Sequence, residues 1–230
     1  MGFSAATNVA GMGILRVGVV TPVPPFTGVN GDAGLDIDLM AAIADALGDR
    51  PEIVAYERYG DVVDALEAGE VDAAVGGLTA SGDRAAFAPP YLITGQALAV
   101  DTRRHPHAHS VGDLDGLTVA VQRDSTAEEY ATTSPAGSVR VCDHLDIEGC
   151  DGMIALAPVL TELTKTLPGV DVVQKGLSIE HIAIAVAEHD QQMLSRITVA
   201  QAELEEAGTL QRLRRKWLGN PYADQSLAVH

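Results

Sequence analysis

Short apolar stretches alternate with amphipathic helical stretches from residue 14 to about residue 97, and this alternation constrains the fold most. ILRVGVV (Ile14 to Val20) is typical of a buried strand. GLDIDLMAAIADALG (Gly34 to Gly48) has apolar residues at helical spacing before a glycine stop. A second strand, the helix DVVDALEAGE and the short strand VDAAVGGL follow. This order favours a parallel sheet with helices on both faces.

The alternation begins again after Leu114. A strand is predicted over Leu117 to Val121, and the turn after it predicts a helix that begins at Ala127, capped by Ser125 or Thr126. Further strands and a helix continue to Lys175, and the last amphipathic stretch predicts helices that break at Gly208. The sequence therefore predicts two α/β units, about 14–97 and about 112–175, and a C-terminal helical segment.

Composition excludes several classes of function. The chain has 230 residues and a formal net charge of −17, which argues against binding nucleic acid or an anionic membrane surface. The basic cluster RLRRKW (Arg212 to Trp217) fits the negative end of a helix dipole. No apolar run is long enough to span a membrane. The N-terminal residues MGFSAATNVAGMG lack the features of a signal peptide, so we expect either a cytosolic protein or a targeting segment outside this sequence.

Cysteine and histidine do not predict a metal centre. Cys142 and Cys150 are close in sequence and could be a disulfide or two buried thiols, and a zinc site needs more ligands than these two. His105, His107 and His109 alternate, but a solvated loop is the better interpretation of RRHPHAHS. We expect no metal and no cofactor.

Acidic residues also occur at the start of the first helix. Asp36 and Asp38 stand in its first turn, where carboxylates favour the positive end of the helix.

Two loops carry the residues suited to binding a ligand. In parallel sheets, ligands bind beyond the carboxyl ends of the strands, where the loops GGLTASGDR and QRDSTAEEY are expected. The Arg84 guanidinium of the first loop, with hydroxyl and N–H groups of the second, could clamp a carboxylate. The alternative is that Arg84 is a surface arginine beside Asp83.

Several segments together resemble the family 3 solute-binding proteins of polar amino-acid ABC importers. The matching pieces, in order, are LRVGVVTPVPPF, GLDIDLMAAIADALG, ALEAGEVDAAVGGLTASGDR, PPY, DLDGLTVAVQRDSTAEEY and AGTLQRLRRKWLG. The resemblance covers Leu15 to Gly219 and implies a two-lobed type II periplasmic-binding-protein fold. In this fold each lobe is a mixed, mainly parallel sheet flanked by helices. Lobe 1 would contain residues 1–94 and 183–230 and lobe 2 residues 95–182. Two crossing hinge strands, near 92–98 and 176–183, would join the lobes.

The same resemblance implies a binding role for nine residues. Arg84 matches the arginine that pairs with the ligand carboxylate, and Tyr59 matches an aromatic wall. Gly77, Leu78 and Thr79 match the segment that holds the carboxylate and the amine. The residues of lobe 2 that would close on the ligand are Gln122, Ser125 and Thr126, with Asp124 where the family usually has glycine.

The chain departs from the family where the ligand's ammonium is held. The matching acidic position falls on Leu156 or a neighbour, Val20 and Thr21 stand where a second acid can occur, and Val23 replaces an aromatic. Because an ammonium without a carboxylate partner is costly to desolvate, we expect a pocket that has lost the standard amine end. The ligand would lack an α-amino group, or its amine would reach Asp124 or Asp61.

The prediction is therefore a monomeric solute-binding protein that passes a small carboxylate to an ABC transporter permease, without catalysis. It would act in the periplasm or at the cell surface if a signal segment precedes this sequence, and in the cytoplasm otherwise. The alternative is an enzyme on the same scaffold, similar to the dehydratases of cyclic carboxylates. Its acid or base would then be Asp61, Asp124 or Glu128. A third possibility is a sensor or scaffold that binds nothing tightly.

Overall fold

A computed structural model describes residues 13–133, 137–222 and Gln225. The strands are β1 (Gly13–Val20), β2 (Asp49–Tyr56), β3 (Ala73–Val75), β4 (Ala85–Phe87), β5 (Leu92–Thr94), β6 (Gln96–Asp101), β7 (Thr118–Gln122), β8 (Ser138–Cys142), β9 (Gly152–Leu156), β10 (Val170–Gln174), β11 (Glu180–Ile182) and β12 (Ala185–Ala187). The α-helices are α1 (Leu35–Leu47), α2 (Tyr59–Glu67), α3 (Thr126–Thr133), α4 (Ala157–Leu163), α5 (Gln191–Glu206) and α6 (Thr209–Leu218).

The first sheet has the strand order β2, β1, β3, β12 and β4. β2, β1 and β3 are parallel, whereas β12 is antiparallel to both of its neighbours. In β1, Leu15, Val17, Val19 and Val20 are buried, because α1 and α2 cover the faces of the sheet. Burial on both faces requires the nearly continuous apolar run seen in this strand.

The second sheet has the order β10, β6, β9, β7 and β8. β9, β7 and β8 are parallel, and β6 is antiparallel to β9 and β10. A separate cluster of buried apolar residues, among them Leu98, Val121 and Ile154, packs beneath α3. The prediction of a mixed α/β architecture with two lobes is confirmed.

Two short strands join the sheets. β5 and β11 pair antiparallel, with Leu92 opposite Ile182 and Thr94 opposite Glu180. They lie between the segments that form the first sheet and those that form the second, as expected of crossing hinge strands. The lobe boundaries 1–94 with 183–230 and 95–182 stay a prediction.

Several sequence predictions need correction in detail. The strand β4 was not expected, and HIAIAVAEH, predicted as one strand, forms β11 and β12 around Ala183 and Ile184. Strands of three residues show no periodicity that a sequence could reveal. Residues 143–150, which connect β8 to β9, contain bends and turns and no helix. The break between α5 and α6 falls at Gly208, as predicted.

Three further points of the sequence analysis concern the described residues. Cys142 and Cys150 are both free thiols. In the part of the chain that the structure describes, no cluster of His, Cys, Asp and Glu could hold a metal, and His105 Nε2 lies 2.7 Å from Asp151. No described helix has the length and apolarity that crossing a membrane requires. The N-terminal stretch up to residue 12 and most of the predicted C-terminal tail lie outside the described residues, although Gln225 hydrogen-bonds to both N and O of Ile93.

Candidate functional site

A cavity of about 520 Å³ lies between the two sheets. All nine residues to which the sequence analysis gave a binding role border it: Tyr59, Gly77, Leu78, Thr79, Arg84, Gln122, Asp124, Ser125 and Thr126. The fold thus brings together the loops after β3 and β7, which are far apart in sequence. We call this space the main cavity. That the nine residues hold a ligand there stays a prediction.

The Arg84 side chain is half-exposed and held by two carboxylates of α2. Its Nε and Nη2 donate to the two carboxylate oxygens of Glu67 at 2.9 and 2.6 Å, and Nη2 also donates to Asp64 at 2.7 Å. Hydrogen bonding to Arg84 lowers the pKa of Glu67. Among the described residues, Nη1 has no hydrogen-bond partner. Arg84 is therefore oriented by α2 and keeps two N–H donors for a ligand.

The backbone at Gly76 and Gly77 is fixed from beneath by Asp36. Both N–H groups donate to one Asp36 oxygen, at 2.8 and 2.9 Å, and the Tyr91 hydroxyl donates to the other at 2.5 Å. Asp36 is fully buried, and burial raises its pKa to about 6. The expectation that Asp36 merely favours the positive helix end is thus incomplete. Because the Gly77 N–H is committed to Asp36, it is not free to donate to a ligand.

Tyr59 forms a wall of the cavity, at the start of α2. Its hydroxyl donates to the Gly76 carbonyl at 3.1 Å, which anchors the ring against the loop. Burial and, to a lesser extent, the charge of Asp36 raise the pKa of Tyr59 above its usual range. The hydroxyl stays protonated at neutral pH and continues to donate this bond.

Thr79 offers both a donor and an acceptor to the cavity. It pairs with Ile182 in an isolated antiparallel bridge, and the ladder bonds on either side are Ala80 N to His181 O and Ala183 N to Leu78 O. Thr79 is thus in the non-hydrogen-bonded position, so its own N–H points away from β11. Within the described chain that N–H has no partner. The Thr79 hydroxyl donates to Glu180 at 2.7 Å.

The second sheet contributes polar side chains that are mostly engaged within their own loop. The Ser125 hydroxyl donates to Gln122 O at 2.6 Å and accepts from Glu128 N at 3.3 Å, so Ser125 caps α3, which begins one residue earlier than predicted. Gln122 Nε2 contacts the Asp143 carbonyl at 3.3 Å. Thr126 Oγ1 accepts from Gln96 Nε2 at 2.9 Å. Its own hydroxyl proton remains for Thr79 Oγ1, 3.5 Å away, or for a ligand.

Exposed charges surround the mouth of the cavity. Arg58 and Asp61 form a two-bond ion pair at 3.0 Å, and the charges of Asp143 and Asp124 also raise the pKa of Arg58. Asp124 adopts a left-handed backbone with φ of 58°, and its N–H donates to Glu128 at 2.7 Å. Its carboxylate faces Gly60 across the mouth. A β-carbon added at Gly60 would lie 2.9 Å from Asp124 Oδ2. Asp61, proposed from sequence as an amine partner, is already paired with a cation.

Sequence reasoning missed a buried polar group beside the cavity, formed by Gln96, Glu180 and Ser178. Gln96 and Glu180 are 1% and 5% exposed, and Ser178 donates to Glu180 at 2.5 Å. A signal was present: Gln96 shares its strand phase with Leu98 and Val100, and Glu180 with Ile182. A polar residue in phase with buried apolar residues predicts an enclosed polar contact.

The position expected to carry an acid is apolar, as the sequence indicated. Leu156 ends β9, is buried and borders the cavity. It lies directly opposite Gln96 in the pairing of β6 with β9. Opposite residues in an antiparallel pair project from the same face, so Gln96 occupies the corner of the cavity beside the missing acid.

The fold and the cleft between its two sheets define a binding protein of the type II periplasmic class. The model of the bacterial extracellular solute-binding proteins, family 3, matches residues 15–220. The chain belongs to this family.

Individual relatives match most of the chain. The L-cystine-binding protein TcyJ of Escherichia coli (strain K12) is 24% identical over 222 residues, which cover 90% of this chain and 83% of the relative. A solved structure of an ancestral arginine-binding protein bound to arginine has a TM-score of 0.81 at 30% identity, covering 90% of this chain and 99% of that one. AncCDT-1, an ancestral amino acid-binding protein and a precursor of cyclohexadienyl dehydratase, has a TM-score of 0.78 at 29% identity, covering 89% and 95%.

Proposed function

We propose that this protein binds an amino-acid-like carboxylate in the main cavity and delivers it to an ABC importer. The observation that carries the proposal is the orientation of Arg84. Glu67 and Asp64 hold three of its N–H groups and leave the two Nη1 donors without a partner among the described residues, and Arg84 borders the cavity. A guanidinium held in this way loses little side-chain freedom when a carboxylate binds.

A second donor supports a two-point grip on the carboxylate. The Thr79 N–H faces away from its ladder and Thr79 borders the same cavity as Arg84. One carboxylate oxygen would accept from Arg84 Nη1 and the other from Thr79 N. Hydrogen bonds to charged groups contribute about 1.5–3 kcal/mol each.

The charges around the mouth favour a polar or cationic side chain on the ligand. Of the charged residues that border the cavity, Arg58 pairs with Asp61 and Arg84 with Asp64. Asp83 and Asp124 also border it and leave an excess of negative charge. An ancestral relative binds arginine and TcyJ is an L-cystine-binding protein. L-arginine, L-glutamine and L-cystine are therefore the first probes.

Titration calorimetry with these three amino acids tests the proposal. The variant Arg84→Ala is expected to bind the preferred probe at least about tenfold more weakly, since it loses one or more charge-assisted bonds. The matched control is Arg123→Ala, which removes an arginine paired with Asp143 outside the cavity lining and should bind normally. Equal affinity of Arg84→Ala and the unaltered protein would contradict the carboxylate role of Arg84.

The same titration tests whether the ligand lacks an α-amino group. The apolar Leu156 supports this version of the proposal, because no acid stands there to hold an ammonium. The deaminated analogue of each amino acid is the appropriate probe. Stronger binding of the analogue than of the amino acid would favour a ligand without an α-amino group.

Delivery to an importer requires a location outside the cytoplasm, which the family supports. Fractionation of the native host should find the mature protein in the periplasm or at the cell surface. Recovery of the protein only from the cytosol would contradict transport.

The enzyme alternative receives less support from the geometry. Of its candidate acids, Asp61 is paired with Arg58 and the Glu128 carboxylate accepts the Asp124 N–H. The neighbour with a dehydratase lineage is itself an amino acid-binding protein. Release of carbon dioxide or water from a cyclic carboxylate in a purified sample would revive this alternative.

A further inference from the structure

One acidic side chain crosses the mouth of the main cavity from one lobe towards the other. Asp124 follows β7 of the second sheet, whereas α2, which begins at Tyr59, packs against the first sheet. A β-carbon added at Gly60, in the first turn of α2, would lie 2.9 Å from Asp124 Oδ2 and 3.6 Å from its Cγ. The carboxylate can come this close because residue 60 has no side chain. Gly60 and Asp124 therefore form a contact between the lobes.

The Asp124 backbone is fixed from its own side of the cleft. Its N–H donates to Glu128 Oε2 at 2.7 Å, and Ser125 directly after it caps α3. The residue has a φ of 58°, a left-handed conformation that asparagine and aspartate tolerate better than most residues. Within the described chain, no donor hydrogen-bonds to the carboxylate of this exposed residue. The loop thus orients a carboxylate that it does not itself use.

The facing end of α2 favours a negative charge. Its N-cap residue is Arg58, whose side chain makes no capping hydrogen bond, so the first N–H groups of the helix lack that partner. A carboxylate near a helix N-terminus is stabilised by these N–H groups and by the helix dipole. Hydrogen bonding to Asp61 raises the pKa of Arg58 most, and the charges of Asp143 and Asp124 raise it further. Arg58 is therefore attracted to two acids of the opposite lobe.

The other arginines and acids at this contact are already paired. Arg58 pairs with Asp61 on one lobe, and Arg123 pairs with Asp143 on the other. Asp124 has no ion-pair partner among the described residues, so its charge is available to the end of α2.

We propose that Asp124 is a latch, whose carboxylate binds the first turn of α2 together with Arg58 and holds the lobes closed over an occupied main cavity. The inference goes beyond the proposed function, because it assigns the retention of a ligand to a contact outside the ligand. Asp124 is a positioning residue in this role. When the lobes part, its carboxylate returns to water, so the contact favours the closed arrangement alone.

Dissociation rates test the latch. Stopped-flow measurement follows the release of whichever of L-arginine, L-glutamine and L-cystine binds. Asp124→Asn keeps the shape of the side chain and tolerates the same backbone, but removes the charge. Its dissociation rate should rise about threefold to fivefold, as expected for a carboxylate at an exposed helix end that faces one cation. The association rate should change little, because the ligand enters before the lobes meet. Raising the salt from about 0.02 to about 0.5 M should reduce the difference, since exposed charges are screened.

A second variant changes the same contact from the other lobe. Gly60→Ala adds a methyl group beside the Asp124 carboxylate and alters no charge. It should raise the dissociation rate about twofold, through partial loss of the same attraction, without lowering stability, because alanine is the better helix former. The double variant should release the ligand no faster than Asp124→Asn alone, since both changes remove one contact. The matched control is Asp115→Asn, in the turn before β7 at the opposite end of that strand, which should behave as the unaltered protein.

Deaminated analogues separate the latch from direct contact between Asp124 and a ligand amine. As a latch, Asp124→Asn should speed the release of an amino acid and of its deaminated analogue by the same factor. An effect confined to the amine-bearing ligand would overturn the latch in favour of an amine contact. If the analogue does not bind, additive effects of Asp124→Asn and Gly60→Ala would overturn it instead.

A crosslink tests the contact without a ligand. Because Asp124 Cγ lies 3.6 Å from the β-carbon position of Gly60, the pair Gly60→Cys and Asp124→Cys should form a disulfide under mild oxidation. Peptide mapping identifies it, since Cys142 and Cys150 are also present. The pair Gly60→Cys and Asp115→Cys should form none.

The outcomes for the latch and for the proposed function are distinguishable. If no probe binds, the proposed function fails and the crosslink decides the latch: its formation supports the contact and its absence overturns it. If a probe binds and Asp124→Asn releases it at the unaltered rate, the latch is wrong even where the crosslink forms, and the proposed function stands.

Discussion

The exposed and the buried carboxylates near the cavity are used in different ways. The exposed group, Asp61, Asp64 and Glu67, pairs with arginines at 2.6–3.0 Å. The buried pair, Asp36 and Glu180, has no cationic partner among the described residues and is satisfied by backbone N–H groups and hydroxyls.

The difference indicates which residues maintain the fold and which adjust to a ligand. Exposed ion pairs contribute little to stability, because water screens them and ordering the side chains costs entropy. They can orient Arg84 and still change partners. Buried carboxylates fix their neighbours, since each donor left unpaired in the interior costs about 1–3 kcal/mol. The comparison can be tested by removing a member of each group.

The largest effect is expected from Asp36→Ala. The substitution leaves Gly76 N, Gly77 N and the Tyr91 hydroxyl without their acceptor, so the free energy of unfolding should fall by about 4 kcal/mol. Urea denaturation measures it. The exposed counterpart, Asp64→Ala, should change the free energy by less than about 0.5 kcal/mol. A similar small change for both variants would remove the distinction between the two groups.

The next effect is a pH dependence that arises from Asp36. Its pKa is raised by burial to about 6 in the folded protein, from 3.8, so the folded state binds the proton more tightly than the unfolded state. The contribution of this raised pKa to the free energy of unfolding is therefore greatest below about pH 4 and is lost as the pH rises through 6. The free energy of unfolding should fall by roughly 3 kcal/mol across this range, at 1.36 kcal/mol per unit of pKa difference.

The variant Asp36→Asn isolates this contribution. Glu67 and Asp143 have lowered pKa values, so their contributions to stability increase as the pH rises. The measured quantity is therefore the difference in free energy of unfolding between the variant and the unaltered protein. Denaturation at a series of pH values should show the variant gaining on the unaltered protein between pH 4 and pH 6. A difference that is constant with pH would show that Asp36 does not titrate in this range.

The smallest effect is expected from Glu67→Gln in the exposed group. The change weakens the hold on Arg84 without creating a buried unpaired group, so stability should be unchanged. Affinity for L-arginine should fall about threefold, because Arg84 is less well oriented before binding. Calorimetry measures this, with Glu206→Gln on the exposed side of α5 as the control. If the free energy of unfolding falls by more than the free energy of binding, Glu67 acts as the buried pair does and maintains the fold.

The sequence predicted which loops lie together better than it predicted the hydrogen bonds within them. Arg84, Thr79 and Ser125 were identified as cavity residues, and they border one cavity. The commitment of Gly77 N–H to Asp36 was not foreseen, because the two are far apart in sequence and meet only when α1 packs beneath the loop. The sequence analysis also did not identify Asp64 and Glu67, the acids of α2 that hold Arg84.

The alternation of apolar and amphipathic stretches determined the two α/β units, the main helices and the longer strands, since each periodicity is a local property of the chain. Tertiary structure decided the direction of the hydrogen bonds at the cavity. Thr79 presents an acceptor only because Glu180, from a strand that returns between the sheets, takes its proton. A hydroxyl has no fixed role in a sequence; the partner that the fold brings to it determines whether it donates or accepts.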